Sequence, residues 1–314
     1  MSKVLVPNLE NVIIFGASSF LGRSLRKIFL NTDTNVYAVF RKNSQNDEVK
    51  SFDGENHIFF DEDIESLSVL KILPKDKTVI INCCGVTGLP NEIENLSSIL
   101  DANMGMTSKI LKFMCISDFK KLIITESYWQ FDESGSEIGN TLYAEAKNMQ
   151  SSLARYFSRK YNMNVVGLVL YDVYGERDDR PKLLNKMAQS IALNHKLDLT
   201  DGNQFVDFVH ISDVINAYLL TSKFLIDLHK DISPCFTRFF VKTNEPLTIL
   251  KSKISETLSI LGYKAKLNWA VRPSPDYQIY KPFWPNEVNF LVPNWKCKVS
   301  FKQGLKRLIS EHEK

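Results

Sequence analysis

The chain is organised around short segments that leave almost no polar position for solvent. They are NVIIF (11–15), VYAVF (36–40), HIFF (57–60), TVIINCCG (78–85), KLIIT (121–125) and NVVGLVL (164–170). A strand with one wet face alternates apolar and polar residues, whereas one that is apolar throughout must be covered on both sides. The cover is present in the sequence. FLGRSLRKIFL (20–30), IESLSVLKIL (64–73), a region within 91–117 and residues 141–161 place apolar residues at helical spacing between these strands. Such alternation predicts a parallel sheet with helices on both faces, a doubly wound α/β fold. After about residue 171 the pattern loosens into a charged loop (175–182), a helix, the short strand FVDFV and a helix over 211–225. A mixed section follows, with a proline-rich loop over 272–285. These later segments predict a smaller lobe inserted after the sheet rather than a separate bead.

Composition narrows the function. The 314 residues are 44% hydrophobic and 24% charged, with a net charge of +3. That balance suits a globular chain, and no basic stripe with interleaved aromatics marks a nucleic-acid surface. No apolar run reaches the roughly 18–20 residues that span a bilayer. The N-terminus, MSKVLVPNLENVIIFG, runs into a strand and lacks the features of a signal peptide. The five cysteines are scattered without a C-x-x-C pair, and the histidines show no metal-ligand spacing. No metal is expected, and adjacent Cys83 and Cys84 are expected to act as small buried hydrophobes. A reducing cytoplasmic compartment follows from this cysteine usage.

VIIFGASSFLGRSL sets Gly16 at the end of the first strand and Gly22 inside the next helix. A strand entering a glycine turn and then a helix N-terminus forms an anion site, because free N–H groups and the helix dipole face the ligand. Gly16 allows the turn and Gly22 allows close helix–sheet packing, while Ser19 stands where a middle glycine is usual. Ser18, Ser19, Phe20 and Leu21 are the expected neighbours of a dinucleotide pyrophosphate. The bland alternative is a tight turn without a ligand. The second strand ends VFRKN, with Arg41 and no acid. An arginine fork suits a 2′-phosphate, which favours NADP(H) over NAD(H), against the alternative of a merely solvated strand end.

Three tyrosine–lysine pairs stand four residues apart: Tyr143/Lys147, Tyr156/Lys160 and Tyr277/Lys281. On a helix that spacing brings the side chains to one face, at about 5–6 Å between their Cβ atoms. Ligands of a doubly wound sheet sit beyond the carboxyl ends of its strands. Tyr143 opens the helix after KLIIT, so it points back to that end, where Thr125 is placed to hydrogen-bond a carbonyl. Tyr156 is carried roughly 20 Å away along the helix axis. Tyr277 lies in the proline-rich loop, where the spacing has no helical meaning.

With these pieces in order, the chain resembles the extended short-chain dehydrogenase/reductases, the NAD-dependent epimerase/dehydratase family with its Rossmann-like sheet. The resemblance rests on Gly16–Gly22, FFDED with Asp61, NCCG with Gly85, NMGMTSKIL from Asn103, and Thr125 with Tyr143-x-x-x-Lys147. It continues through LVLYDVYG, VDFVHISDVINAY and WKCKVSFKQGLKRLI. It implies hydride transfer at a sugar carbon. Tyr143 is then the acid/base, Lys147 lowers its pKa and holds the nicotinamide ribose, and Thr125 orients the carbonyl oxygen. Asp61, Glu62, Cys83, Gly85, Tyr171 and Val173 would complete the cofactor site, in a dinucleotide-binding domain of residues 1–170 plus about 207–225. The substrate lobe would comprise about 171–206 and 226–314.

The 4,6-dehydratases of the family carry Thr-Asp-Glu where this chain reads Thr125-Glu126-Ser127, so elimination of water is disfavoured. The stretch from residue 168 to 214 is similar to nucleotide-sugar 4-ketoreductases such as the CDP-abequose and CDP-paratose synthases. That likeness implies NADPH-dependent reduction of a keto sugar for surface polysaccharide. Thr87, Glu126, Asp172, Arg180, Lys182 and Arg272 would meet the nucleotide sugar. Val206 replaces an arginine usual in relatives, and Asp172 replaces a frequent asparagine. Competing readings are an NAD-retaining epimerase or 4-dehydrogenase, and a non-catalytic dinucleotide-binding regulator. The resemblance also implies a homodimer through the helical regions 91–117 and 141–161.

Overall fold

The computed structural model describes residues 6–42, 52–61, 63–89, 91–228, 235–285 and 290–313. Its centre is a seven-stranded sheet in which every pairing is parallel. In chain order the strands are β1 (Asn11–Phe15), β2 (Asn35–Arg41), β3 (Glu55–Phe60), β4 (Thr78–Asn82), β5 (Lys121–Ser127), β6 (Asn164–Leu170) and, much later, β11 (Phe236–Val241). Their spatial order is β11-β6-β5-β4-β1-β2-β3. The chain therefore reverses its direction of travel across the sheet between β1 and β4, the crevice where open sheets of this kind bind ligands.

Alternation along each strand feeds two cores. Val12 and Ile14 of β1 join Leu25, Phe29, Val214 and Tyr218 on one face. Ile13 and Phe15 join Leu111, Phe113 and Ala154 on the other. The first face is covered by α1 (Phe20–Leu30) and α6 (Ile211–Asp227), the second by α3 (Met106–Ser117) and α4 (Leu142–Tyr161). The expected helix over 91–117 divides into α2 (Leu96–Leu100), a π-helical turn Asp101–Gly105, and α3. Residues Ile64–Ile72 form a 3-10 helix, not an α-helix.

A third core, including Leu184, Met187, Phe208, Ile254, Phe301 and Leu305, belongs to the smaller lobe. Around it lie α5 (Leu183–Ala192), α7 (Leu250–Leu261) and α8 (Phe301–His312). Three short ladders complete it. β7 (Asp172–Tyr174) pairs with β10 (Phe208–His210), β8 (Lys196–Asp198) with β13 (Lys266–Asn268), and β9 (Phe205–Val206) with β12 (Thr248–Ile249). One expected boundary is corrected: residues 236–241 do not belong to the lobe but close the large sheet beside β6. FVDFV is likewise two strands, β9 and β10, separated by buried Asp207.

Candidate active site

At the switch point, Cys83 N–H bonds Phe15 O at 3.0 Å, which holds β4 against the start of the glycine turn. Gly16 has φ +76°, and a Cβ there would lie 2.8 Å from the Cys83 backbone. A Cβ on Gly22 would fall 2.2 Å from Gly16 O. Neither position admits a side chain, so α1 seats its N-terminus directly on the strand ends. Ser19 caps that helix, its Oγ accepting Gly22 N–H at 3.0 Å. Arg23 reaches back to Ser18 O (2.7 Å) and across to Asp179 (3.0 Å), tying the turn to the loop after β7. Phe20 is buried and lies under the Arg180 guanidinium, 4.8 Å from ring centroid to cation; Leu21 is partly buried against the first core. A glycine cradle without room for Cβ atoms, opening onto a helix N-terminus, fits a dinucleotide pyrophosphate.

Arg41 ends β2 exposed. Asp61 follows β3 and pairs with Lys42 Nζ at 3.1 Å, and that bond holds its carboxyl below the usual range. Glu62 lies outside the described residues. Burial raises both thiols beyond β4, that of Cys84 to about 11, so they are inert fillers. Gly85 is kept small by Asn103 Oδ1, 2.9 Å from where its Cβ would stand, and by Lys147 Nζ at 3.4 Å. The π-helical turn aims Asn103 inward; its amide donates to Val86 O and Ile99 O, and its buried Oδ1 has no partner.

Thr141 caps α4 through Ala144 N–H, which places Tyr143 in the first turn beside the end of β5. Lys147 follows one turn later, 2% exposed. Its ammonium donates to Thr125 O (3.0 Å), Gln150 Oε1 (3.0 Å) and Cys84 O (3.3 Å), which occupies all three N–H groups. Burial lowers its pKa to about 8.

Two expectations fail here. Thr125 Oγ1 is committed elsewhere, donating to Asn82 O (2.9 Å) and meeting the Tyr218 hydroxyl (2.6 Å). The hydroxyl set beside the Tyr143 phenol is that of Ser127. The reason is strand length. β5 continues to Ser127 in register with Leu170 of β6, so Ser127 shares the Thr125 face and lies at the strand's true end. Nor does Lys147 lower the Tyr143 pKa. Burial raises it, and the groups that ease it are the Ser127 hydrogen bond and the charge of Arg180.

Glu126, expected at the substrate, is 1% exposed and turned behind the sheet. Its carboxylate takes Arg238 Nε (2.5 Å) and Nη2 (3.1 Å) and the Ser151 hydroxyl. Arg238 also bonds Glu137 (3.0 Å), which pairs with Arg155 through two bonds of 2.7 Å. Tyr171 is corrected too. It is buried, donates to Phe283 O and stacks on Tyr128 with ring centroids 5.1 Å apart, so its side chain belongs to the core.

Asp172 opens β7, faces the Tyr128 hydroxyl at 3.3 Å, and is raised to about 6 by burial against the nearby Lys182 charge. Arg180 is held by Asp178 (two contacts of 2.7 Å) and reaches Val173 O at 3.4 Å. Its cation thus stands between the glycine turn and Tyr143. Lys182 caps α5, while Thr87 and Arg272 are exposed on loops. Sequence reasoning missed Ser127, Trp129 and Tyr277. The Trp129 ring meets Tyr143 edge-on at 6.5 Å and Tyr277 at 6.3 Å.

A parallel sheet with a glycine cradle at its switch point and a Tyr-x-x-x-Lys helix at the adjacent strand end defines a dinucleotide-dependent oxidoreductase. The chain belongs to the NAD dependent epimerase/dehydratase family, whose sequence model matches residues 12–225. Accordingly it is an NAD(P)-dependent enzyme acting on a nucleotide sugar. It is 26% identical to a CDP-abequose synthase of Yersinia pseudotuberculosis over 66% of this chain and 71% of that one. A putative UDP-glucose 4-epimerase of Methanocaldococcus jannaschii is 24% identical over 95% of this chain and 97% of its own. In three dimensions the chain superposes on MoeE5 in complex with UDP-glucuronic acid and NAD, with a TM-score of 0.78 and 17% identity over 96% of this chain and 98% of that one. Among the described residues no helix is long and apolar enough to cross a membrane, and no cluster of side chains could hold a metal.

Proposed function

We propose that the enzyme reduces the 4-keto group of a nucleotide-linked deoxy sugar with NADPH, in the supply of surface-polysaccharide precursors in the cytoplasm. The observation that carries this is the β5 terminus. Ser127 and Tyr143 stand together at its mouth, while Glu126, the acid of the neighbouring position, is locked behind the sheet by Arg238 and Ser151. Two hydroxyls suit protonation of a carbonyl oxygen; elimination would need an acid that this strand end withholds.

The nicotinamide, when bound, supplies the hydride to the carbonyl carbon. Ser127 hydrogen-bonds the carbonyl oxygen, and Tyr143 gives its proton to that oxygen as negative charge builds there. A phenol kept protonated by burial is suited to the donating direction. Arg180 steadies the phenolate that remains. Lys147 can take a ribose hydroxyl by releasing its longest contact, that to Cys84 O. Arg41, exposed at the end of β2, where the sequence VFRKN carries no acid, supports a 2′-phosphate and hence NADP(H).

The nucleotide sugar would lie between the sheet and the lobe formed by about 171–206 and the residues after 241, with Arg180, Lys182, Asp172, Thr87 and Arg272 as its polar contacts. Exposed Leu96 of α2, Ile116 of α3, and Met149, Tyr156 and Tyr161 of α4 support a homodimer through those helices. The 4-epimerase likeness over 95% of the chain favours one second reading, an epimerase that retains NAD. The test is a panel of CDP-, GDP- and dTDP-linked 4-keto-6-deoxy sugars with NADPH, following absorbance loss. Turnover with NADPH supports reduction; NAD retained through purification without NADPH consumption overturns it in favour of epimerisation.

A further inference from the structure

The catalytic phenol is walled on one side by carbon from two distant parts of the chain. Trp129 follows β5 by two residues and sets its ring edge-on to Tyr143, centroids 6.5 Å apart at 76°. Tyr277 arrives from the proline-rich loop and lies against the other edge of Trp129 at 6.3 Å. That loop is fastened over the start of α4 by Asn140 Nδ2, which donates to Tyr277 O at 2.6 Å. An indole has one polar atom, its N–H donor. The Tyr128 hydroxyl of the preceding residue faces Asp172 at 3.3 Å. The rest of the Trp129 ring is carbon, so the edge-on contact sets a largely apolar surface against Tyr143. The ring is half-buried, so part of it remains open at the mouth of the sheet.

We propose that Trp129, backed by Tyr277, determines specificity by packing on the substituent beside the reacting carbon, and that it accepts a methyl there in place of the hydroxymethyl of the parent sugar. The inference rests on the ketoreductase reading and adds the residue that senses deoxygenation. An aromatic wall welcomes a methyl and offers a hydroxyl no partner, so the hydroxyl loses its hydration without recompense.

The assay is the reverse oxidation with NADP+, on a 6-deoxyhexose and its 6-hydroxy parent carrying the same nucleotide. Wild-type enzyme should prefer the deoxy sugar in kcat/KM by about tenfold to a hundredfold, the range a hydrophobic pocket achieves against an added hydroxyl. Trp129→Gln should shrink that preference to roughly threefold or less while NADPH Kd stays unchanged, and Trp129→Phe should keep most of it. Tyr277→Leu, in a surface loop, gives a second variant with the same expected direction should Trp129→Gln fold poorly. Turnover of both sugars with equal kcat/KM, or an undiminished preference in folded Trp129→Gln and Tyr277→Leu, overturns the assignment and leaves the ketoreductase reading intact. Turnover of neither sugar, with NADPH still bound, overturns that reading and this inference together.

Discussion

Ser127 and Thr125 lie two residues apart on one face of β5, yet the structure gives them opposite duties, and a pair of near-isosteric substitutions separates them. Ser127→Ala removes the hydroxyl beside the Tyr143 phenol and the acceptor of the Trp129 main-chain N–H at 3.3 Å. Losing a donor aimed at developing oxyanion charge lowers kcat by about 10²–10³, equivalent to roughly 3–4 kcal/mol of transition-state stabilisation. The lost turn cap lowers stability by only about 1 kcal/mol. Thr125→Val removes no group from the phenol. It leaves the Asn82 carbonyl without its 2.9 Å donor and strands the hydroxyl of Tyr218, a residue with 0% exposure. An unsatisfied buried polar group destabilises by about 1–3 kcal/mol. At roughly 2–4 °C per kcal/mol, Tm should fall by several degrees. The main-chain oxygen of residue 125 still receives Lys147, so kcat should stay within about threefold of wild type. Steady-state NADPH oxidation and thermal melts on the same preparations give both readouts. A hundredfold activity loss in Thr125→Val at unchanged NADPH affinity, with Ser127→Ala close to wild type, would refute the reassignment.

Three further outcomes follow from the charges around the site. Lys147, lowered to about 8 by burial, loses its ammonium as pH rises through that value, so kcat should decline above pH 8 and the decline should vanish from the residual rate of Lys147→Met. Burial raises the Asp172 carboxyl from 3.8 to about 6, so the group binds protons more tightly folded than unfolded; stability from it is greatest at low pH and falls as pH rises through about 4–6. Asp172→Asn should therefore raise Tm at pH 7.5, by the equivalent of about 3 kcal/mol, and flatten the pH dependence in that window. Glu137, held down to about 2 by Arg155 and then Arg238, stabilises the fold fully above its ordinary value near 4.5 and less as pH falls toward 2, and acid melts of Glu137→Gln should lack that loss.

The parts of this molecule that were legible in its sequence are those fixed by local sterics and period. Gly16 and Gly22 stand where no Cβ fits, and the requirement comes from neighbouring turns of the same motif. Tyr143 and Lys147 share a helix face because four residues always do, and six apolar strands needed cover on both sides wherever they lay. Contacts made across the sheet were not legible. Tyr277 was set aside as a loop residue, since nothing local tells that its ring returns to Trp129. Arg180 is expected at the nucleotide sugar, but nothing local tells that Asp178 and Phe20 hold it beside the cofactor turn.

One ion pair lies behind two differences from the sequence expectation. β5 runs past Thr125 through a glutamate to Ser127, and residues 236–241, expected in the lobe, form a strand of the large sheet through an arginine. Each charge is the reason the other can be buried. Glu126 and Arg238 meet at 2.5 Å across β6, whose Gly167 leaves room for the carboxylate: a Cβ there would lie 2.6 Å from it. A buried charge that keeps its partner is tolerated, whereas one that loses it is strongly destabilising. The pair therefore adds β11 to the sheet, extends β5 by two residues, and delivers Ser127 to Tyr143. In doing so it holds behind the sheet a carboxylate that sequence alone places at the substrate. The same charge that completes the sheet thereby withholds the Glu126 carboxylate from the mouth of β5, the basis of the proposed preference for proton donation to a carbonyl over loss of water.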